Sequence, residues 1–196
     1  MVSDSPQRVS DQAPVVGNHG PVRPQVVLIG PPGSGKTTVG LVLAELLGVE
    51  LRDTDQAIEA QQGQSISDIF MDEGESRFRE LERVEVTSSL ESHSGVLSLG
   101  GGAVMDPTTA TSLSGHTVVF LEVGIADAAK RVGFDRGRPL LTLNPRAQWT
   151  RMMDERQATY ERLATFSVQT AGRTPQDIAA DIAQRLETDR TETHGE

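Results

Sequence analysis

The sequence predicts an α/β domain in which one parallel sheet is covered by helices on both faces. Short apolar runs alternate along the chain with longer segments whose apolar residues recur at helical spacing. The first run, residues 25–30 (QVVLIG), is typical of a strand that is buried on both faces. The 196 residues suffice for one domain with a sizeable core. No apolar run approaches the roughly 20 residues that a membrane helix needs.

The apolar runs place five strands. They are predicted over residues 25–30, 49–53, 96–99, 117–121 and 167–170. Each run is followed by a segment of helical periodicity or by a glycine-rich turn. Because the connections contain helices, neighbouring strands are expected to pair in parallel.

The helical segments carry recognisable ends. Helices are predicted over residues 36–47, 56–62, 75–92, 125–132 and 146–163, with a last helix that opens at residue 175. Gly48 and Gly63 are placed to end the first two. Ser67 is predicted to cap a short turn that carries Ile69 and Phe70. The helix over 75–92 is amphipathic, and its expected inward anchors are Phe78, Leu81 and Leu90. Thr174 is the predicted cap of the last helix, with Pro175 at its first position.

Composition excludes several function classes. The formal charge is 18 − 28 = −10, which argues against general nucleic-acid binding because phosphate backbones attract basic surfaces. Cysteine is absent, so disulfides, thiolate zinc sites and cysteine nucleophiles are excluded together. Of the basic residues only Lys36 and Lys130 are lysines, and the other 16 are arginines. A site for small anions is compatible with this balance if the arginines converge.

The two ends of the chain are predicted to be disordered tails. Residues 1–24 contain four prolines and no periodic apolar pattern, and residues 188–196 are polar. The first segment also lacks the apolar stretch of a secretory signal, which leaves the cytoplasm as the expected location. Residues 25–187 are therefore predicted to form the folded unit.

A phosphate-binding loop follows the first strand. The segment from Gly30 to Thr37 (GPPGSGKT) fits G-x-x-x-x-G-K-[ST] in full. Its glycines allow backbone N–H groups to turn toward phosphate oxygens, and the following helix adds its positive N-terminus. Lys36 is expected to reach the β- and γ-phosphates of a nucleotide and Thr37 to ligate Mg²⁺. A chance glycine-rich turn is improbable between an apolar strand and an apolar-periodic helix.

An acidic pair follows the second strand. Asp53 and Asp55 lie at its C-terminal end, the edge of an open α/β sheet where ligands bind. One carboxylate could hold Mg²⁺ through water, and the other could accept the proton of an attacking hydroxyl. The alternative is a strand-end turn in which an aspartate caps the next helix. Beside a phosphate loop, the functional interpretation is favoured.

Glycines and arginines complete the candidate site. Gly100, Gly101 and Gly102 follow the third strand, where they would let a ligand approach the backbone closely. Seven arginines cluster between residues 131 and 162, most of them expected on solvated helix faces. Arg138 differs because it precedes Pro139 in a Gly/Pro-rich loop, as in a lid that closes over phosphates. Arg79 could act as a fork for a substrate carboxylate.

Five motifs, in this order and spacing, resemble those of the shikimate kinases: GPPGSGKTT, DTD, FRELE, SLGGGAV and RPLL. The resemblance covers roughly residues 26–186. It implies a three-layer P-loop NTPase fold with a five-stranded parallel sheet, similar to that of the nucleoside monophosphate kinases. It also implies a substrate-binding helical lobe at about residues 55–93 and a mobile lid at about residues 132–146. The implied reaction is ATP-dependent phosphorylation of the 3-hydroxyl of shikimate, in aromatic amino-acid biosynthesis.

The resemblance also implies roles for individual residues on the nucleotide side. Lys36 and Arg138 match residues that act in catalysis on the ATP phosphates, and one Mg²⁺ ion would be held by Thr37 and Asp53. The residues implied in ATP binding are Gly33, Ser34, Gly35, Lys36, Thr37, Thr38, Arg131, Arg138 and Arg173. Arg131 and Arg173 match less distinctive positions near the adenine.

On the acceptor side, the resemblance implies a site for shikimate. Asp55 matches the carboxylate that contacts shikimate hydroxyls and is the candidate catalytic base. Arg79 and Arg156 match the pair that grips the shikimate carboxylate, and Tyr160 follows the second of them as it usually does in the family. The three glycines at 100–102 match the stretch beside the ring. Phe70 and Phe78 fit either that pocket or the ordinary core.

Two other classes of function are also compatible with the sequence. One is a related small-molecule kinase, for gluconate or a nucleoside monophosphate. The other is a non-catalytic nucleotide switch. The paired arginines and the glycine stretch favour a carboxylated cyclic polyol. The expected ligands are ATP and shikimate, with no nucleic acid and no membrane, and the expected form is a monomer.

Overall fold

A computed structural model describes residues 22–132 and 145–193 of the chain. Its five strands are β1 (Val26–Ile29), β2 (Leu51–Asp53), β3 (Val96–Ser98), β4 (Val118–Glu122) and β5 (Phe166–Gln169). All pair in parallel in the order β2-β3-β1-β4-β5, which confirms the predicted five-stranded sheet. The register sets Val27 of β1 opposite Leu97 of β3 and Val118 of β4.

Eight helices are seen in this part of the chain. They are α1 (Lys36–Leu47), α2 (Thr54–Gln62), α3 (Ile66–Asp72), α4 (Glu75–Ser92), α5 (Pro107–Ser112), α6 (Ile125–Val132), α7 (Pro145–Leu163) and α8 (Pro175–Thr193). The bounds of α1, α4 and α6 agree with those predicted. Gly48 ends α1 in the left-handed conformation and caps it with its backbone N–H. Thr174 caps α8 by accepting a hydrogen bond from the Asp177 N–H.

The core has two main layers, one on each face of the sheet. Successive residues of β1 point to opposite faces: Val26 and Leu28 pack with α1 and α8, and Val27 and Ile29 pack with α4 and α7. This makes the three-layer arrangement that was predicted. A small third cluster holds the helices after β2 together through Ile58, Ile69 and Phe78.

Several local predictions were wrong. Ser65, not Ser67, caps α3, because the Ser65 hydroxyl accepts a hydrogen bond from the Asp68 N–H three residues on. The short helix α5 and the 3₁₀ turn before it (Ala103–Met105) were not predicted, because the segment lacks a periodic apolar pattern. The last helix runs on to Thr193 through the expected tail from residue 188, since no glycine or proline interrupts it before Gly195.

The tail predicted over residues 1–24 lies outside the described residues up to residue 21. Within the described part, Pro24 is buried, so the packed part of the chain begins at least one residue earlier than expected. No helix in the described ranges is long and apolar enough to cross a membrane.

Candidate active site

The phosphate loop joins β1 to α1 and needs glycine where the chain is crowded or twisted. A Cβ atom on Gly30 would lie 2.7 Å from the carbonyl oxygen of Leu121 on the neighbouring strand. Gly35, which precedes α1, has φ +93°, a conformation that other residues rarely adopt. The loop therefore presents its backbone N–H groups at the N-terminus of α1, which suits a bound phosphate.

Lys36 lies inside this loop. Its Nζ atom donates to the carbonyl oxygens of Gly30 at 2.8 Å and Pro31 at 3.3 Å. Burial lowers the pKa of Lys36 to about 8, against the opposing effect of the Asp55 and Asp53 carboxylates. The ammonium is thus held next to both the phosphate loop and the acid pair.

Asp53 joins the acid pair to the phosphate loop. Its Oδ2 atom accepts hydrogen bonds from the Thr37 hydroxyl at 2.7 Å and the Ser98 hydroxyl at 3.0 Å. Its Oδ1 atom accepts from the backbone N–H groups of Asp55 and Gln56, so Asp53 also caps α2. The capping interpretation and the functional one are therefore compatible in the same residue.

Asp55 is the buried member of the pair. Its Oδ1 atom is buried and has no hydrogen-bond partner among the described residues. Burial, together with the nearby Asp53 and Glu82 carboxylates, raises the pKa of Asp55 to about 6, although Lys36 opposes this shift. A carboxylate with a pKa near 6 is ionised at neutral pH and basic enough to accept a proton from a bound hydroxyl.

The glycine turn after β3 is closely covered by side chains from two helices. The Gly100 N–H donates to the Thr54 hydroxyl at 3.0 Å. A Cβ on Gly100 would lie 2.4 Å from Asp55 Oδ1, and one on Gly102 would lie 2.6 Å from Arg79 Nη1. Asp55 therefore lies against the first glycine of the turn and Arg79 against the third. The predicted site requires both side chains beside this turn.

Arg79 projects from α4 and is held by two glutamates. Its Nη1 donates to Glu82 at 2.6 Å and its Nη2 donates to Glu75 at 3.1 Å. The side chain of Glu82 is only 4% exposed, and burial raises its pKa, although Arg79 counteracts this effect. Phe78 is buried in the small cluster, so it belongs to the core beneath Arg79. Glu82 was not predicted as a site residue; its readable signal is a glutamate one helical turn after the arginine.

Arg156 approaches the same turn from α7. Its Nη1 donates to the Gly101 carbonyl at 3.1 Å, and the Tyr160 hydroxyl donates to the same oxygen. Tyr160 is fully buried, with its ring stacked on Phe120 of β4 at 5.0 Å between centroids. The two arginines expected to share one substrate carboxylate therefore flank the same three glycines.

A cleft of 260 Å³ lies beside the phosphate loop. Its lining includes Ser34, Gly35, Thr38, Arg131 and Arg173. Arg131 donates to the carbonyls of Gly33 and Ser34 and to Thr170, whereas Arg173 pairs with Asp181 at 2.9 Å. The residues expected near the nucleotide base are thus brought together here.

The catalytic arginine expected in the lid, Arg138, and almost all of the predicted lid over 132–146 lie outside the described residues. A larger cavity, of 340 Å³, lies elsewhere and is lined by residues such as Arg23, Leu90 and His116. It contains none of the groups that the motifs select.

A phosphate loop, an acid pair and two arginines at one edge of a five-stranded parallel sheet define a P-loop kinase of small molecules. A sequence model of the family described as shikimate kinase matches residues 32–187. The chain belongs to the shikimate kinase family.

Relatives and solved structures agree. The chain is 56% identical to a shikimate kinase of Salinispora arenicola over 83% of this chain and 98% of that protein. It is 54% identical to one of Thermobifida fusca, over 84% and 95% of the two chains. A structure of the Acinetobacter baumannii shikimate kinase in complex with shikimate superposes with a TM-score of 0.80 at 34% identity, over 86% of this chain and 94% of that one. A gluconokinase of Sinorhizobium meliloti, at 18% identity and a TM-score of 0.52 over 89% and 100%, shares the fold alone.

Proposed function

We propose that this chain transfers the γ-phosphoryl group of ATP to the 3-hydroxyl of shikimate, giving shikimate 3-phosphate and ADP for aromatic amino-acid biosynthesis. The observation that best supports this function is the arrangement of the candidate substrate-binding residues next to the phosphate loop. The buried Asp55 carboxylate, Arg79 and Arg156 meet around the glycine turn. The phosphate loop that holds Lys36 borders the same place.

Thr37 and Asp53 would hold one Mg²⁺ ion. Their hydroxyl and carboxylate oxygens are 2.7 Å apart next to the phosphate loop. Hard oxygen ligands in small number fit this ion, which keeps several waters and takes further ligands from the nucleotide phosphates. When bound, the ion neutralises charge on the transferring phosphoryl group.

Arg79 and Arg156 would bind the shikimate carboxylate from two sides and fix its orientation. Glu82 and Glu75 hold the Arg79 guanidinium in place before the substrate arrives. Asp55 would then accept a hydrogen bond from the reacting hydroxyl. Positioning of this kind is most of what phosphoryl transfer requires of a protein.

In the transfer itself, the shikimate oxygen forms a bond to the γ-phosphorus as the bond from that phosphorus to the ADP oxygen breaks. The hydroxyl proton passes to an oxygen of Asp55. Lys36 stabilises the charge that develops on the phosphoryl oxygens. We assign Arg138 the same role from a lid that excludes water from the site.

The organisation proposed for the chain follows from this activity. The kinase unit extends from Pro24 or earlier to the end of α8 at Thr193, with the substrate lobe at about residues 55–93 and the lid at about residues 132–146. We propose that the enzyme acts as a monomer in the cytoplasm, where ATP is available.

An ADP-release assay with four acceptor conditions tests the function: shikimate, gluconate, AMP and no acceptor. We expect release with shikimate at least 100-fold above the rate without acceptor. Faster release with gluconate or AMP would assign a related kinase instead. ADP binding without acceptor-dependent release would assign a nucleotide switch. The variant Asp55→Asn, assayed with shikimate, is the control for contaminating kinases.

A further inference from the structure

Pro32, the third residue of the phosphate loop, is contacted from two sides. On one side the indole Nε1 of Trp149 on α7 donates to its carbonyl oxygen at 3.2 Å. On the other side the glycine turn packs against its ring, since a Cβ on Gly101 would lie 3.0 Å from Pro32 Cδ. Pro32 is therefore the point where the phosphate loop meets both the turn and α7.

The same helix also holds the far side of the turn. Arg156 and Tyr160 both donate to the Gly101 carbonyl oxygen. Trp149, Arg156 and Tyr160 are spaced by seven and four residues, which places them on one face of α7. A closed circuit of contacts results: Trp149–Pro32, Pro32–Gly101 and Gly101–Tyr160, with α7 as its rigid side. We call this circuit of contacts, as distinct from the proline side chain, the Pro32 ring.

The two residues of α7 that belong to the Pro32 ring, Trp149 and Tyr160, are held rigidly in the core. Tyr160 is fully buried and stacked on Phe120, and Trp149 is 8% exposed in the core layer beneath α7. A buried indole N–H normally needs an acceptor, so the Pro32 carbonyl cannot move away from Trp149 without leaving that donor unpaired. A shift of the phosphate loop is therefore transmitted to the turn and to Arg156.

We propose that Trp149 is a positioning residue that couples nucleotide binding to shikimate binding through the Pro32 ring. The inference rests on the proposed function, because Arg156 is assigned to the shikimate carboxylate. A nucleotide bound to the phosphate loop would further restrain Pro32, and Pro32 in turn would restrain the turn beside which shikimate is proposed to bind. The coupling must be reciprocal, so shikimate tightens nucleotide binding by the same factor.

Calorimetry measures this factor directly. The dissociation constant of Mg·ADP is determined with and without saturating shikimate, for the wild-type chain and for Trp149→Phe. We expect tighter binding with shikimate in the wild type. In the variant we expect this gain to fall about fivefold, the net effect of one neutral hydrogen bond. Phenylalanine keeps most of the apolar contact, so the binary affinities should stay within about twofold and unfolding should stay cooperative.

The matched control is Met153→Leu, one turn further along the same buried face of α7. This substitution removes no hydrogen bond to the phosphate loop or to the glycine turn, so shikimate should tighten Mg·ADP binding by the same factor as in the wild type. If Trp149→Phe does not fold, Tyr160→Phe opens the ring at its other end and should lower the factor in the same way. An unchanged factor in the folded variant, or no coupling in the wild type, overturns the proposal. These outcomes are distinct from failure of the proposed function, which is absence of shikimate-dependent ADP release.

Trp149 is also the only tryptophan of the chain, so its emission reports on the ring. We expect shikimate alone, without nucleotide, to change the emission intensity or wavelength. Emission that responds to Mg·ADP but not to shikimate would contradict transmission from the turn to Trp149. Trp149→Phe provides the blank for the titration.

Discussion

Asp55 destabilises the folded protein in its ionised state. Its pKa is raised from 3.8 to about 6, mainly by burial. A raised pKa means that the favourable contribution is present below pH 3.8 and is lost as the pH rises through 6. At neutral pH the folded chain therefore keeps a buried charge at a cost, which is typical of a group retained for chemistry.

The variant Asp55→Asn should separate chemistry from stability. We expect turnover with shikimate to fall at least 100-fold, because the base is removed, while Mg·ADP still binds within about threefold. The free energy of unfolding at pH 7.5 should rise by about 2 kcal/mol, since the neutral amide avoids the charge, and this gain should vanish near pH 4. Urea denaturation at the two pH values measures it. Near-normal turnover would exclude Asp55 as the base.

The pH dependence of kcat/KM for ATP should follow two groups of the free enzyme. Activity should rise as the pH increases through about 6, because Asp55 must lose its proton. It should fall as the pH increases through about 8, because Lys36 must keep its proton. Initial rates at constant free Mg²⁺ give the profile, and circular dichroism checks folding at each pH. A flat profile from pH 5 to 7 would contradict the role of Asp55.

Arg79→Lys should weaken shikimate binding. Arginine can hold Glu82 and a substrate carboxylate at once with its planar fork, whereas lysine presents one point charge. We expect the KM for shikimate to rise about tenfold and the KM for ATP to stay within twofold. Arg77→Lys, on the exposed side of the same helix, is the matched control. Equal shikimate KM values in the two variants would remove Arg79 from the substrate site.

The glycine turn over residues 100–102 should tolerate an added methyl group in folding but not in catalysis. A Cβ on Gly100 would meet the ends of two side chains, those of Asp55 and Glu82, and these can rotate away. We therefore expect Gly100→Ala to lower the melting temperature only slightly and kcat at least tenfold, because Asp55 is displaced from the reacting hydroxyl. Gly124→Ala, where nothing lies within 4 Å, should behave like the wild type. A normal kcat in Gly100→Ala would show that the turn adapts.

The helix ends show which local sequence signals predict structure reliably and which do not. Helix α1 was predicted to the residue because a phosphate loop precedes it and Gly48 ends it. Two failures concern signals that were present: Ser65 stands three residues before Asp68 as in a capping box, and Asp106 precedes Pro107 at the start of α5. The signal at Asp106 lay in a polar segment, so the missing apolar periodicity outweighed it. At α3 two serines competed as the cap, and only Ser65 stands three residues before an acidic residue.

Some residues of the candidate site can be identified from the sequence, and others cannot. Residues that directly follow a strand could be assigned to the site, because the parallel topology brings the strand ends to one edge. Glu82 carried only the weak signal of its spacing from Arg79. Trp149 carried none, because its role depends on packing. Trp149 is 117 residues from the carbonyl it contacts, and no local pattern encodes that distance. Nor does the sequence show that Asp53 both caps a helix and binds Thr37.

A net charge of −10 is compatible with the candidate anion site because the positive groups are concentrated locally. Arg79 is paired with glutamates, and Arg131 is bound by carbonyl oxygens of the phosphate loop. Their positions are thereby set before a ligand binds, which reduces the ordering cost of binding. The acidic remainder of the surface should repel other polyanions.

The catalytic unit should not require the residues that precede the described part of the chain. The Salinispora arenicola relative is covered over 98% of its length by 163 residues of this chain, so a kinase needs little beyond that span. We expect deletion of residues 1–21 to leave kcat and both KM values within about twofold and the melting temperature within about 2 °C. A chain that begins at Val26 is the control. It also lacks the buried Pro24 and the hydrogen bond from the Gln25 N–H to the Gly95 carbonyl at 2.9 Å, so it should melt several degrees lower. Equal melting temperatures of the two truncated chains would show that the catalytic unit begins at Val26 or later. Loss of activity in the longer one would show that it begins before residue 22.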